Sequence, residues 1–107
     1  MKTIADNMPS HAGPLRARPD PTKLKLETRV NGETVQSSDT SHLIFSIPRL
    51  INYSSEIFDL VPGDVIATGT PAGVGFTRKP PIFLKAGDVV EVEIEKLGIL
   101  SNPVIDE

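Results

Sequence analysis

Two stretches in which apolar and polar residues alternate strictly commit this chain to a half-buried sheet. From Lys23 to Val30, Leu24, Leu26, Thr28 and Val30 fall on one side, and Lys23, Lys25, Glu27 and Arg29 on the other. From Asp88 to Glu95, Val90, Val92 and Ile94 oppose Glu91, Glu93 and Glu95. Successive side chains of a strand point to opposite faces, so each stretch predicts a strand with one covered and one wet face. Asn31-Gly32 tolerates the positive backbone angles of a tight hairpin, which makes Glu33 to Gln36 the returning strand. Ile99 to Val104 reads as a last short strand interrupted at Pro103.

Between these strands the signals change. Ser37 to Thr40 is polar turn material. Ser46 can accept an unpaired amide of a first helical turn, and Pro48 lies early enough to be tolerated there. Ile47, Leu50, Ile51 and Ser54 follow one helical face, predicting a helix from about Ile47 to Ile57. Pro62-Gly63 makes a turn, and Asp64 to Thr68 reads as a strand whose Val65-Ile66-Ala67 run implies burial on both faces. A glycine-rich loop spans Gly69 to Gly75, and Thr77 to Pro81 must be extended or turning because Pro80-Pro81 cannot sit inside a helix. The expected fold is mainly β with one helix, an α+β class. Residues 1–18, with two of the ten prolines, form an irregular arm ahead of a single domain over 19–107.

Composition removes several classes of function. With 107 residues there is room for one compact domain. No apolar run approaches the roughly 20 residues needed to cross a bilayer, and residues 1–22 lack the apolar centre of a secretory signal. The expectation is a cytoplasmic protein without a membrane partner. The absence of cysteine excludes disulfides, Cys-based zinc sites and thiol nucleophiles. A net charge of -3 with 5% aromatics offers neither the basic footprint nor the stacking surface that nucleic acid requires.

Thr68-Gly69-Thr70-Pro71-Ala72-Gly73-Val74-Gly75 is the least ordinary segment. Its three glycines let the backbone turn sharply and approach a ligand closely, and several amides plus the Thr70 hydroxyl could converge on one carboxylate or enolate oxygen. The segment also fits the TGxxxGxG pattern of a dinucleotide-binding turn. That reading fails on context, because such a turn opens a helix near the start of a long βαβ series and only 32 residues follow Gly75. A glycine loop that merely turns a corner in a β fold is the plain alternative.

The run from Pro62 to Gly75 closely resembles the signature near the C-terminal end of the fumarylacetoacetate hydrolase family. So do Pro19-Asp20-Pro21 with Leu24 and Leu26, Val30-Asn31-Gly32-Glu33, Ile44-Phe45-Ser46-Ile47 and Leu84-Lys85-Ala86-Gly87-Asp88-Val89-Val90, in the family's order. The resemblance implies a mixed β-roll catalytic domain, incomplete here on its N-terminal side and usually homodimeric. It implies a divalent cation, Mg2+ or Mn2+, that polarises the oxygens of an oxo-acid or diketo-acid for C–C hydrolysis, decarboxylation or isomerisation. It places Thr70 alone in the substrate pocket; from the loop's own composition, Gly69, Pro71, Gly73 and Gly75 are expected to join it in binding the substrate.

The same resemblance places the metal on a Glu-x-Glu pair and a later acidic residue upstream of the matched region. Glu91, Glu93 and Glu95 have the spacing, but they form the polar face of an alternating strand, so no metal ligand is assigned within the chain. Lys2 is one place out of register with the family's lysine. His11 and His42 have no partner at ligand or triad spacing. Ser46, Ser54 and Ser55 occupy cap or surface positions. Two functions follow: the substrate-binding part of a metal-dependent oxo-acid enzyme, and a non-catalytic β domain used for dimerisation or assembly.

Overall fold

The computed structural model describes residues 20–107. The arm over 1–18 falls outside those residues, as do Lys2 and His11. Among these residues there are four strands and one α-helix: β1 (Lys25–Val30), β2 (Glu33–Asp39), α1 (Ile47–Ser55), β3 (Val89–Ile94) and β4 (Gly98–Pro103). The strands form one antiparallel sheet in the order β2-β1-β3-β4. This is the mainly β architecture with one helix that the alternation predicts.

The register follows from that alternation. Leu26 lies opposite Ile94, Thr28 opposite Val92 and Val30 opposite Val90, so the apolar residues of β1 and β3 share one face. Asn31 (φ 50°) and Gly32 (φ 81°) both have the positive angles of a two-residue hairpin. β2 runs three residues beyond Gln36, through Ser37, Ser38 and Asp39, where turn chemistry was expected. Pairing of Lys25 with Asp39 and of Glu27 with Ser37 keeps these polar residues in the ladder. Between Gln36, opposite Thr28, and Thr34, opposite Arg29, the register skips Val35, which forms a β-bulge.

α1 begins where Ser46 caps it, the Ser46 hydroxyl accepting the Arg49 amide at 3.4 Å. It ends at Ser55, two residues before the expected boundary, although the Ile57 and Phe58 amides still donate to the Ser54 carbonyl. Arg49 lies 5.4 Å from the Phe45 ring centroid, a cation–π contact. Gly75–Thr77 is a single 3-10 turn, short enough for the prolines that follow it.

One expected strand is absent. Asp64 to Thr68 has no strand pairing, and Val65 and Ile66 are 87% and 39% exposed. The Val-Ile-Ala run carries a burial preference, but a strand also needs a neighbour for its amides and carbonyls, and no described segment pairs with it. The core is correspondingly thin. Among the described residues, Leu24 is the one buried hydrophobic side chain and Asp88 the one buried charged one.

Candidate functional site

The glycine-rich loop is fastened to the bulged edge of the sheet. Gln36, at the first regular position after the bulge, donates from Nε2 to Thr70 Oγ1 and to the Pro71 carbonyl, both at 2.8 Å. Arg78, just past the 3-10 turn, donates from Nε to the Gly73 carbonyl at 3.2 Å and from Nη2 to the Val35 carbonyl. That last oxygen belongs to the residue the ladder skips, so Arg78 gives a partner to an edge carbonyl the bulge leaves over.

Two glycines are fixed by space. A Cβ on Gly73 would collide with the Val35 carbonyl oxygen, and Gly73 also has φ 109°. A Cβ on Gly75 would collide with the Ile82 carbonyl. Their absence of side chain serves the close approach of one backbone to another, which is the corner-turning role foreseen as the plain alternative. Gly69 differs. It has φ 97° and open space where a Cβ would be, so conformation alone selects glycine there. Pro71, Gly73 and Gly75 are half-buried against the sheet side, while Gly69 and Thr70 are exposed.

The loop's hydrogen bonding is lopsided. The Pro71 carbonyl takes Gln36, the Gly73 carbonyl takes Arg78, the Val74 carbonyl takes the Thr77 amide and hydroxyl, and the Gly75 carbonyl takes the Arg78 and Ile82 amides. By contrast, the amides of Gly69, Thr70, Ala72, Gly73, Val74 and Gly75 donate to no other described residue. Among Gly69 to Gly75 four carbonyls are taken and those of Gly69, Thr70 and Ala72 are not, while six amides are left over, so among the described residues unpartnered donors outnumber unpartnered acceptors.

The acidic strand face has a different use. Arg29 Nη1 lies 2.8 Å from Glu93 and 3.1 Å from Glu27, and its Nε lies 3.2 Å from Glu91. These three carboxylates raise the Arg29 pKa above its ordinary value, Glu93 most. Glu27 is held below the usual carboxylate range by the Thr34 hydroxyl and then by Arg29. Glu95 accepts the Lys25 amide at 3.2 Å. Among the described residues no group of three His, Asp or Glu is arranged to hold a metal ion. Glu91 and Glu93 serve an arginine, and these residues do not fit an Mg2+ site.

A cavity of about 620 Å3 lies away from the loop, lined by Lys25, Glu27, Ser38, His42, Glu93 and Glu95 among others. Its chemistry is already committed. His42 Nδ1 is 3.4 Å from the Ser38 hydroxyl, and the neighbouring Asp39 carboxylate caps the Ser41 amide at 2.8 Å instead of orienting the imidazole. That arrangement is local hydrogen bonding, not a nucleophile with its base. Ser55 donates to the Asn52 carbonyl on the helix surface.

The sequence reading missed Gln36 and Arg78. They stand 34 and 43 positions from their loop or strand partners, and no local pattern connects residues that far apart.

Comparison with known proteins places this architecture. The family described as Fumarylacetoacetate (FAA) hydrolase C-terminal matches residues 8–105. The chain is 55% identical over 86 residues to oxaloacetate tautomerase fahd2, mitochondrial, of Xenopus laevis, covering 80% of this chain and 27% of that protein. Its structure superposes on a fumarylacetoacetate hydrolase from Exiguobacterium antarcticum with a TM-score of 0.79 and 46% identity, covering 82% of this chain and 32% of the other. It also superposes on 5-carboxymethyl-2-hydroxymuconate delta-isomerase from Mycobacterium smegmatis, with a TM-score of 0.72, 45% identity and the same coverage. The chain thus spans roughly a third or less of the length of proteins named as a tautomerase, a hydrolase and an isomerase. With its β1–β4 sheet, single helix and glycine loop, it belongs to the fumarylacetoacetate hydrolase family, in the C-terminal domain of that family.

Proposed function

We propose that this chain supplies the substrate-binding loop of an enzyme acting on a small oxo-acid or diketo-acid. The observation that carries this reading is the imbalance in the loop, where the Pro71, Gly73, Val74 and Gly75 carbonyls are taken up by Gln36, Arg78, Thr77 and Ile82 while six amides and the Thr70 hydroxyl are left for an oxygen-rich anion. Thr70, with Gly69 before it and Pro71, Gly73 and Gly75 shaping the turn, holds a carboxylate or carbonyl oxygen in place. Orientation is the contribution of this part of the protein, since a well-oriented reactant has already lost much of the entropy its reaction would otherwise cost. The names of the relatives support a 2-oxo-acid or its enol, with tautomerisation, isomerisation and hydrolysis as the reaction classes; decarboxylation stands as a further reaction class that the family resemblance implies.

The acidic strand face is engaged elsewhere, with Glu27, Glu91 and Glu93 on Arg29 and Glu95 on the Lys25 amide. The Mg2+ or Mn2+ of a complete enzyme is held by protein other than these residues, in a domain made from positions 19–107 and further chain. We place the protein in the cytoplasm as a homodimer. The Xenopus relative is by its name mitochondrial, and cell fractionation separates the two locations. No helix among the described residues is long and apolar enough to cross a membrane.

Spectrophotometric tautomerisation of oxaloacetate, with and without Mn2+, tests the reading in a complete enzyme that carries this segment. Thr70→Ala is expected to raise KM about fivefold or more, the loss of one hydrogen bond to a charged group. Unchanged kinetics would remove Thr70 from the site. The second reading, an assembly module, is favoured by the apolar side chains left in solvent, with Ile44 92% and Val65 87% exposed.

A further inference from the structure

The orientation of one side-chain amide decides what the Thr70 hydroxyl can do. Gln36 Nε2 lies 2.8 Å from both Thr70 Oγ1 and the Pro71 carbonyl oxygen. A carbonyl can only accept, so the nitrogen end of the amide must face Pro71; turned over, two oxygens would confront each other. The same nitrogen therefore donates its second proton to Thr70. A hydroxyl that accepts on its inner side keeps its own proton for another partner, and among the described residues none takes it.

We propose that Gln36 is a positioning residue that presets Thr70 as a hydrogen-bond donor toward a carboxylate or enolate oxygen, an inference that rests on the function proposed above. The β-bulge makes this possible. By skipping Val35, it brings Gln36 into register with Thr28, on the face that meets the loop, and turns the Val35 carbonyl toward Arg78. Gln36 on the strand and Arg78 bonded to its Val35 carbonyl thus clamp the loop at Pro71 and Gly73, and among the described residues Gln36 alone bonds the hydroxyl. Without its amide the hydroxyl would rotate and spend part of its time donating to solvent or to its own backbone.

The test titrates oxalate, a stable mimic of an enolised 2-oxo-acid, into the 107-residue chain, following amide and Thr methyl signals by NMR. Wild type, Gln36→Leu, Gln36→Asn and Gln36→Glu are compared. Gln36→Leu is expected to lower affinity about fivefold, the scale of one hydrogen bond, and to change Thr70 χ1 from one rotamer to an average of several. Gln36→Asn, whose amide falls short by one methylene, should behave like Gln36→Leu and guards against a variant that fails to fold.

Gln36→Glu is expected to be worse than Gln36→Leu at neutral pH, because a carboxylate reverses the bond and draws the Thr70 proton inward. Its deficit relative to wild type should shrink toward pH 4, where the carboxyl regains a proton. A purely structural role predicts the opposite order, with the near-isosteric Glu tolerated better than Leu. Loop shifts in wild type together with affinities within twofold in all variants, or an unchanged Thr70 rotamer in Gln36→Leu, would overturn the assignment while leaving the binding loop standing. No loop shifts in wild type would remove both.

Discussion

Asn31 and Asp88 stand 57 positions apart in the chain and meet through a 2.9 Å hydrogen bond from Asn31 Nδ2 to Asp88 Oδ1. The Asn31 side-chain oxygen accepts the Val89 amide and its own amide donates to the Val89 carbonyl, also at 2.9 Å. One turn residue thereby ties the β1–β2 hairpin to the start of β3. The other Asp88 oxygen accepts the Lys85 amide at 3.0 Å. Asp88 is buried, and the Asn31 amide, then the Lys85 amide, hold its carboxyl below the usual carboxylate range against the opposing effect of burial.

A folded-state pKa lower than the unfolded value means that stability is gained above the unfolded value and lost as pH falls through the folded one. Thermal melts should therefore show a plateau above about pH 5 and a decline beginning near pH 4, where an unfolded aspartate starts to protonate. Asp88→Asn is expected to lower Tm at pH 7 and to flatten that acid decline. An identical acid profile in the variant would show that Asp88 does not carry it.

The two kinds of glycine in the loop should separate under mutation. Gly73→Ala meets the Val35 carbonyl as well as an unfavourable φ, and should cost about 2–4 kcal/mol as strain and a displaced loop add. Gly69→Ala meets open space and should cost about 1 kcal/mol from conformation alone. Urea denaturation of the two variants measures the difference, and equal costs would contradict the close approach of the loop to β2.

Arg78→Met keeps an apolar stem and removes both clamps on Gly73 and Val35. Hydrogen exchange is expected to accelerate through residues 72–78 and at the β2 edge, with β3 and β4 unaffected. Uniform acceleration across the sheet would mean that the clamp is not local.

The alternation of β1 and β3 was fully legible in the sequence, because two-residue periodicity and cross-strand pairing are the same constraint read along and across strands. Ser46 as a cap and Asn31-Gly32 as a hairpin turn were legible for a similar reason: each acts on neighbours in the chain. Asp64–Thr68 was misread because the apolarity of Val65 and Ile66 reports a preference for burial, not the presence of a partner strand. The extension of β2 through Asp39 and the bulge at Val35 depend on pairing with β1, which overrides the weak strand propensity of Ser and Asp. Thr70 and its glycines were found through composition and family likeness. Gln36 and Arg78 were invisible, since nothing local distinguishes them from surface residues.

The exposed apolar side chains predict association. Ile44 and Val65 each forgo about 1.5–3 kcal/mol that full burial would contribute, with exposures of 92% and 87%. Sedimentation of the chain should show concentration-dependent self-association, weakened in Val65→Asp. A concentration-independent monomer would contradict the assembly reading and the expected dimer alike.

The most direct measurement is the oxalate titration of the wild-type chain with residue-by-residue amide detection. The account predicts saturable shifts confined to Gly69–Gly75 and Gln36, with the affinity lowered about fivefold or more in Thr70→Ala. Shifts centred instead on the cavity beside Ser38 and His42, or surviving intact in Thr70→Ala, would contradict it.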